Sequence, residues 1–377
     1  ATFTIIDNTN PVISVQASNL EVQCDGNGNT AALNAWLASN GGASASDVCS
    51  SVTWSNNFTS VSDTCGATGS ASVTFTATDN CGNSSSTTAT FTIIDNTNPV
   101  ISVQASNLEV QCDGNGNTAA LNAWLESNGG GAATDVCSSV TWTNNFTSVS
   151  DTCGATGSAS VTFTATDNCG NSSSTTATFT IIDNTNPVIS VQASNLEVQC
   201  DGNGNTAALN AWLASNGGAS ASDLCSSVTW SNNFTSVSDT CGATGSASVT
   251  FTATDNCGNS SSTTATFTII DNTNPTITTQ ASNLEVQCDG NGNTAALNAW
   301  LASNGGASAT DVCSSVTWSN NFTSVSDTCG ATGSASVTFT ATDNCGNSSS
   351  TTATFTIIDN TNPVISVQAS NLEVQCD

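Results

Sequence analysis

Ser70-Ala-Ser-Val-Thr-Phe-Thr-Ala-Thr-Asp79-Asn-Cys-Gly-Asn83 alternates apolar and hydroxylated side chains. Val73, Phe75 and Ala77 share one face, and Thr74, Thr76 and Thr78 the other, as in a β-strand with one side buried and one in water. Asn80-Cys81-Gly82-Asn83 reads as a turn, and Thr87–Ile94 then resumes the alternation, with Phe91 and Ile93 opposite Thr90 and Thr92. Val12–Val15, Leu20–Cys24 and Ser51–Ser55 carry the same period, with turn signals at Ala17-Ser18-Asn19 and Ser55-Asn56-Asn57. About seven short strands in so short a stretch predict an Ig-like β-sandwich. One segment departs from the pattern. In Thr30–Asn40, Leu33, Trp36 and Leu37 fall at i, i+3 and i+4, which predicts a short helix inserted between the second and third strands. Asn29 or Thr30 can cap its start and Gly41-Gly42 ends it. Trp36 and Trp54 are expected in the core.

The whole pattern recurs. Ala-Thr-Phe-Thr-Ile-Ile-Asp-Asn-Thr-Asn-Pro begins at Ala1, Ala89, Ala177, Ala265 and Ala353, an 88-residue period that fits four units and the opening of a fifth into the chain. The copies differ at few positions: Ala38 is matched by Glu126, Val48 by Leu224 and Val12 by Thr276. Such repetition builds length, whereas an enzyme needs one asymmetric pocket. The chain starts and stops in mid-pattern, so it reads as a slice of something longer.

Composition narrows the chemistry. Lys, Arg, His, Tyr and Met are absent against 28 Asp plus Glu, leaving a formal charge of −28. The usual general acids, bases and electrophiles are therefore missing, and no enzymatic activity is expected. Nucleic acid and anionic membrane surfaces are disfavoured, because their recognition needs cations. No apolar run is long enough to span a bilayer or serve as a signal peptide, so no membrane insertion is expected from this segment.

The 17 cysteines fall four to a unit with one left over. Cys24, Cys49, Cys65 and Cys81 recur as Cys112, Cys137, Cys153 and Cys169, then as Cys200, Cys225, Cys241 and Cys257, and as Cys288, Cys313, Cys329 and Cys345; Cys376 is the first of a fifth set. An even number per unit without histidine predicts two disulfides per unit and an oxidising, extracellular or cell-surface location. A Cys₄ zinc site is disfavoured, since no Cys-x₂-Cys knuckle occurs.

Phe75-Thr-Ala-Thr-Asp79-Asn-Cys-Gly-Asn83, followed by Ala89-Thr-Phe-Thr-Ile-Ile-Asp95-Asn-Thr-Asn-Pro99, resembles the HYR (hyalin-repeat) Ig-like modules arrayed in large bacterial surface adhesins, notably of Bacteroidota. The resemblance covers every unit; the helical insert departs from the simple module. It implies an extracellular stalk with domains phased from the junction proline: 11–98, 99–186, 187–274 and 275–362, preceded by the last strand of a repeat at 1–10 and followed by the start of another at 363–377. It also implies the pairs Cys24–Cys65 and Cys49–Cys81 in each unit, with Cys24–Cys81 and Cys49–Cys65 as the alternative.

An Ig-type sandwich would gather the unit's carboxylates where two domains meet. Asp7, Asn10, Asp25, Asp47 and Asp79 are the candidates, repeated as Asp95, Asn98, Asp113, Asp135 and Asp167, as Asp183, Asn186, Asp201, Asp223 and Asp255, and as Asp271, Asn274, Asp289, Asp311 and Asp343. With no Lys or Arg to offset them, bound Ca²⁺ at each junction is the simple remedy. Asp7-Asn8-Thr9-Asn10-Pro11 also resembles the Ca²⁺-stiffened linkers of cadherins. The alternative is that these residues make Asx turns and leave their charge in water. Asp25-Gly-Asn27-Gly-Asn29 matches the start of an EF-hand loop, but Thr30 stands where its glycine belongs and Trp36 where its bidentate Glu belongs, so only a looser Ca²⁺ loop or a plain turn remains. Asn57 and Asn83 begin N-glycosylation triplets, and Asp63-Thr64 resembles an O-glycosylation site. The expected function is a structural stalk of an adhesin or filament. Its partners are the neighbouring repeats and lateral copies in a filament. The alternative is that each repeat is itself a glycan- or protein-binding module.

Overall fold

The computed structural model describes residues 1–326 and 328–375; Cys376 lies outside the described residues. The first repeat runs through β1 (Val12–Val15), β2 (Leu20–Gln23), α1 (Thr30–Ala38), β3 (Ser44–Ser46), β4 (Thr53–Asn56), β5 (Gly69–Thr78) and β6 (Ser84–Ile94). It is an all-β sandwich with one short helix, and the helix sits between the second and third strands as the Leu33/Trp36/Leu37 spacing predicts. Six strands form where about seven are expected for an Ig-like unit. β3 gave no sequence signal, because Ser-Ala-Ser has no large apolar residue.

The alternating stretch becomes the centre of the molecule. β5 and β6 form a long antiparallel hairpin in which Val73 faces Ala89 and Ala71 faces Phe91. On the solvent side Thr74 and Thr88 are paired, with their hydroxyls 3.1 Å apart. β4 joins the free edge of β5, and β2 joins the free edge of β6, giving the order β2-β6-β5-β4. β1 and β3 make a separate two-stranded ribbon. Val73, Phe75 and Phe91 are completely buried, with Leu33 and Trp36 of α1 in the same cluster. Trp36 stands edge-on to Phe75 with ring centres 5.2 Å apart, and its Nε1 donates to the Ser18 carbonyl at 3.0 Å. Gly41 closes the helix at φ +63°, where an added Cβ would lie 3.0 Å from Ala17 Cβ and 3.1 Å from the Phe75 ring. Only glycine satisfies both demands.

One pairing decides where the functional groups go. β2 runs parallel to β6, with Leu20 opposite Phe91 and Gln23 opposite Ile94. The end of β2 therefore lies beside the end of β6, at the outgoing side of the repeat. The same sequence as Ala89–Ile94 at Ala1–Ile6 forms no strand, and Phe3 and Ile5 are exposed there.

The second repeat follows suit: β7 (Val100–Val103), β8 (Leu108–Gln111), α2 (Thr118–Glu126), β9 (Ala132–Thr134), β10 (Val140–Asn144), β11 (Gly157–Asp167) and β12 (Ser172–Ile182). These two repeats belong to one compact unit, Ala1–Thr185 with Leu224–Ser227; Asn186–Asp223 with Val228–Asp377 make a second. Inside the second unit the third and fourth repeats show the same sheet orders and registers. Among the described residues no helix is long and apolar enough to cross a membrane.

Candidate functional site at the repeat junction

The junction is built from five short segments. The first repeat contributes the end of β2 with its following loop, the stretch Cys65-Gly66-Ala67, and Asp95 at the end of β6. The second contributes Asp135–Ser138 and the hairpin turn Asp167–Asn171. These meet closely. Ala67 N–H donates to the Cys137 carbonyl at 2.8 Å, and Asn171 Nδ2 donates to the Asp95 carbonyl at 3.2 Å. A Cβ on Gly26 would sit 2.6 Å from the Val136 carbonyl oxygen.

Disulfides run across this junction. Cys24 bonds Cys137 and Cys65 bonds Cys169, with Cα separations of 6.1 and 5.3 Å. The pattern recurs as Cys112–Cys225 in the first unit, and as Cys200–Cys313 and Cys241–Cys345 in the second. Cys153 and Cys257 are disulfide-bonded as well. This corrects the expected pairs Cys24–Cys65 and Cys49–Cys81, and the alternative with them. Cys24 and Cys65 do lie at one end of their repeat, with Cys24 Sγ 3.7 Å from the Ala67 carbonyl oxygen. Each faces the next repeat, however, and bonds outward to the loop that docks there. Cys137 consequently belongs to the buried core of the first repeat, Cys225 to that of the second and Cys313 to that of the third. The picture of repeats closed upon their own cysteines is replaced by one in which each core is finished by its neighbour. Among the described residues Cys49, Cys81, Cys288 and Cys329 are free.

The carboxylates divide into three kinds. Asp25 is held by its own loop: Oδ1 accepts the N–H groups of Asn27 and Asn29 at 2.7 and 3.0 Å, which holds its carboxyl below the ordinary range. Asp113, Asp201 and Asp289 repeat this. Asn29 makes no side-chain cap on α1; its amide instead donates to the Gln23 carbonyl. The parallel β2–β6 pairing also puts Asp25 at the outgoing junction, beside Asp95, Asp135 and Asp167. The grouping of Asp25 with Asp7, Asp47 and Asp79 is thereby corrected.

Asp79 is the buried turn-holder. Its Oδ1 accepts from Cys81 and Asn83 N–H and its Oδ2 from Asn83 Nδ2. Burial pushes this carboxyl up, but the hydrogen bonds outweigh it and the net shift is downward. Asp167, Asp255 and Asp343 behave alike. Both donors of the Asn83 amide are engaged in the folded repeat, one on Asp79 and one on the Asp7 carbonyl.

The third kind comes together. Asp95, Asp135 and Cys137 place one ligand-type atom each within 4.8 Å of one another, as do Asp7, Asp47 and Cys49, and Asp271, Asp311 and Cys313. Asp135 Oδ1 accepts from the N–H groups of Cys137 and Ser138 at 2.8 and 3.0 Å. Asp95 Oδ1 accepts from Thr97 N–H and Oγ1, and from Gln23 Nε2 across the parallel strands. The Oδ2 atoms of Asp7, Asp95 and Asp271 are buried without a partner. Asp183 accepts from Gln111 and Thr185 in the same manner, and Asp223 holds the position of Asp135. Asn10, Asn98, Asn186 and Asn274 are exposed. The charge on Asp7, then burial, then Asp47 raise the Cys49 thiol pKa; for Cys81 burial leads, followed by Asp7. Gln23 and its equivalents were not singled out in the sequence. Their role depends on the parallel register, which no local pattern announces.

No protein-family model and no curated protein matches the chain. Among solved structures it is similar to a protocadherin gammaB7 EC3-6 cis-dimer, at 13% identity and TM-score 0.32 over 92% of this chain and 100% of that one. It is similar to protocadherin gamma B2 domains 1-5 at 10% identity and TM-score 0.32, covering 95% and 82%. Drosophila N-cadherin EC1-4 aligns at 10% identity and TM-score 0.22, covering 77% and 84%. At such scores no residue role is carried across. Fold and junction together define a tandem β-sandwich array whose repeats are stapled by disulfides.

Proposed function

We propose that this chain is the shaft of an extracellular adhesin or cell-surface filament, of the HYR-like kind that its repeat motif resembles. The observation that carries this reading is the pair of disulfides binding the first repeat to the second, reiterated along a near-identical array. Such bonds persist in oxidising surroundings outside the cell, and length is what identical repeats supply. The domains are 11–98, 99–186, 187–274 and 275–362, and their first partners are one another.

Ca²⁺ is proposed at each junction. Two carboxylates some 5 Å apart repel by about 3 kcal/mol at an effective dielectric near 20, and the chain has no basic side chain to offset them. The buried, unpartnered Asp95 Oδ2 fits a cation, and hard oxygen donors favour Ca²⁺. Asp95 and Asp135 would hold the ion, with water completing its shell. Asp25 and Asp167 accept hydrogen bonds from their own loops and would act only through their charge.

Immunogold labelling of intact cells with an antibody to the repeat tests the shaft: label along surface filaments is expected, and label confined to the cytoplasm rejects it. For the metal, equilibrium dialysis should give Ca²⁺ binding near ~10⁻⁴–10⁻³ M, and Asp95→Asn and Asp135→Asn should each lower the number of ions bound per chain by about one. Unchanged binding in both variants removes the ion from this place.

A further inference from the structure

We propose that tension along the chain is carried by a covalent path through the long central strand of successive repeats, so that the array resists stretching without relying on the strength of its fold. The inference rests on the shaft reading and adds a mechanical role to it.

Cys65 and Cys153 are equivalent positions in consecutive repeats, a full period apart along the backbone. The Cys65–Cys169 bond shortens that route. Load entering at Cys65 crosses to Cys169 and needs only the segment 153–169 to reach Cys153, which is itself disulfide-bonded. Most of that segment is β11, Gly157–Asp167, and is already extended. Fully taut, it would measure about 55 Å, and the strand already spans about 35 Å of this, so tightening adds at most about 20 Å. Unravelling the same repeat along its backbone would stretch it to a contour of roughly 290–320 Å in all. In the second unit the equivalent segment runs from the disulfide-bonded Cys257 through the strand Gly245–Asp255 to Cys241, and Cys241–Cys345 carries the load onward.

The other bond offers a longer route. From Cys24 through Cys137 back to Cys112 the path follows 112–137 and includes the helix α2. A helix rises only ~1.5 Å per residue and lengthens when pulled, so the strand route tightens first. Load at Cys137 can also run forward along 137–153 to Cys153, where it rejoins the strand route. That strand is also the most protected part of the repeat. β11 lies between β10 and β12, and Val161, Phe163 and Ala165 are completely buried.

Single-molecule stretching of the oxidised chain between terminal handles is the test. With disulfides verified by mass, no extension step of about 300 Å is expected, and reductant should bring such steps out. Steps of that size in the oxidised chain overturn the proposal. The variant carrying Cys241→Ser and Cys345→Ser leaves Cys200–Cys313 as the bond that takes the load there. Load must then use the helix route and pull out 313–345 as well, which should lengthen the taut chain by roughly 100–200 Å. Identical traces for variant and parent also overturn the proposal, and circular dichroism of the variant checks that the sheets are kept. Surface labelling together with ~300 Å steps removes the load path and leaves the shaft; resistance to stretching without surface labelling does the reverse.

Discussion

The loop after β2 and its equivalent in the fourth repeat have the same sequence and different surroundings. Asp25 and Asp289 each accept from the N–H groups two and four residues on, at 2.7 and 3.0 Å in both loops. The glycine that follows takes φ +76° in one and +77° in the other. What differs is the neighbour. Gly26 meets the Val136 carbonyl, while Gly290 has open space; Cys24 is bonded and buried, while Cys288 is free and half-buried. The local fold is thus complete within one repeat, and burial of its end is supplied by the next.

Breaking one junction bond is the most severe test of this contrast. Cys137→Ser should lower stability by about 2–4 kcal/mol in denaturant unfolding of the oxidised chain, against less than about 0.5 kcal/mol for Cys288→Ser. Equal losses would mean that the junction adds nothing to the core it closes.

A smaller difference is expected for the glycines. Gly290→Ala meets only the strain of a positive φ, about 1 kcal/mol. Gly26→Ala adds a Cβ 2.6 Å from the Val136 oxygen and should cost about 1–3 kcal/mol more, read from hydrogen exchange in β2 and in its fourth-repeat equivalent, Leu284–Gln287. Indistinguishable exchange would show that the two loops pass each other more loosely than their geometry implies.

Acid separates repeat from junction in another way. The carboxyls of Asp79, Asp167, Asp255 and Asp343 sit below the ordinary 3.8 in the fold. Their contribution is therefore full above pH 3.8 and is lost as pH falls through the lower folded values. Melting temperature should drop below about pH 4 whether or not the disulfides are intact, because each of these turns is internal to its own repeat. A drop seen only after reduction would tie the acid effect to the junction.

The last test leaves stability untouched. Iodoacetamide should label Cys49, Cys81, Cys288 and Cys329 and spare Cys24, Cys137, Cys65 and Cys169. Labelling of Cys49 and Cys81 should be slow at neutral pH and reach half its limit above pH 9, since their neighbouring carboxylates and burial raise both thiols from 9.0.

The 88-residue period, the strands at Val12–Val15, Leu20–Gln23, Gly69–Thr78 and Ser84–Ile94, and the helix at Thr30–Ala38 follow from the sequence, because alternation, turn chemistry and helical spacing act over a few residues. Asp79 as the holder of the hairpin turn is legible for the same reason. The absence of every basic side chain likewise fixes, before any folding, that the acidic groups at the junction have no partner of opposite charge in the chain. Tertiary structure alone decided that β2 pairs parallel with β6. That pairing carries Asp25 and Cys24 to the outgoing end, lets Gln23 reach Asp95, and points Cys24 and Cys65 at the next repeat, to which both bond. Four thiols in each repeat allow several pairings that local chemistry cannot rank, and which two meet depends on where a neighbouring repeat docks.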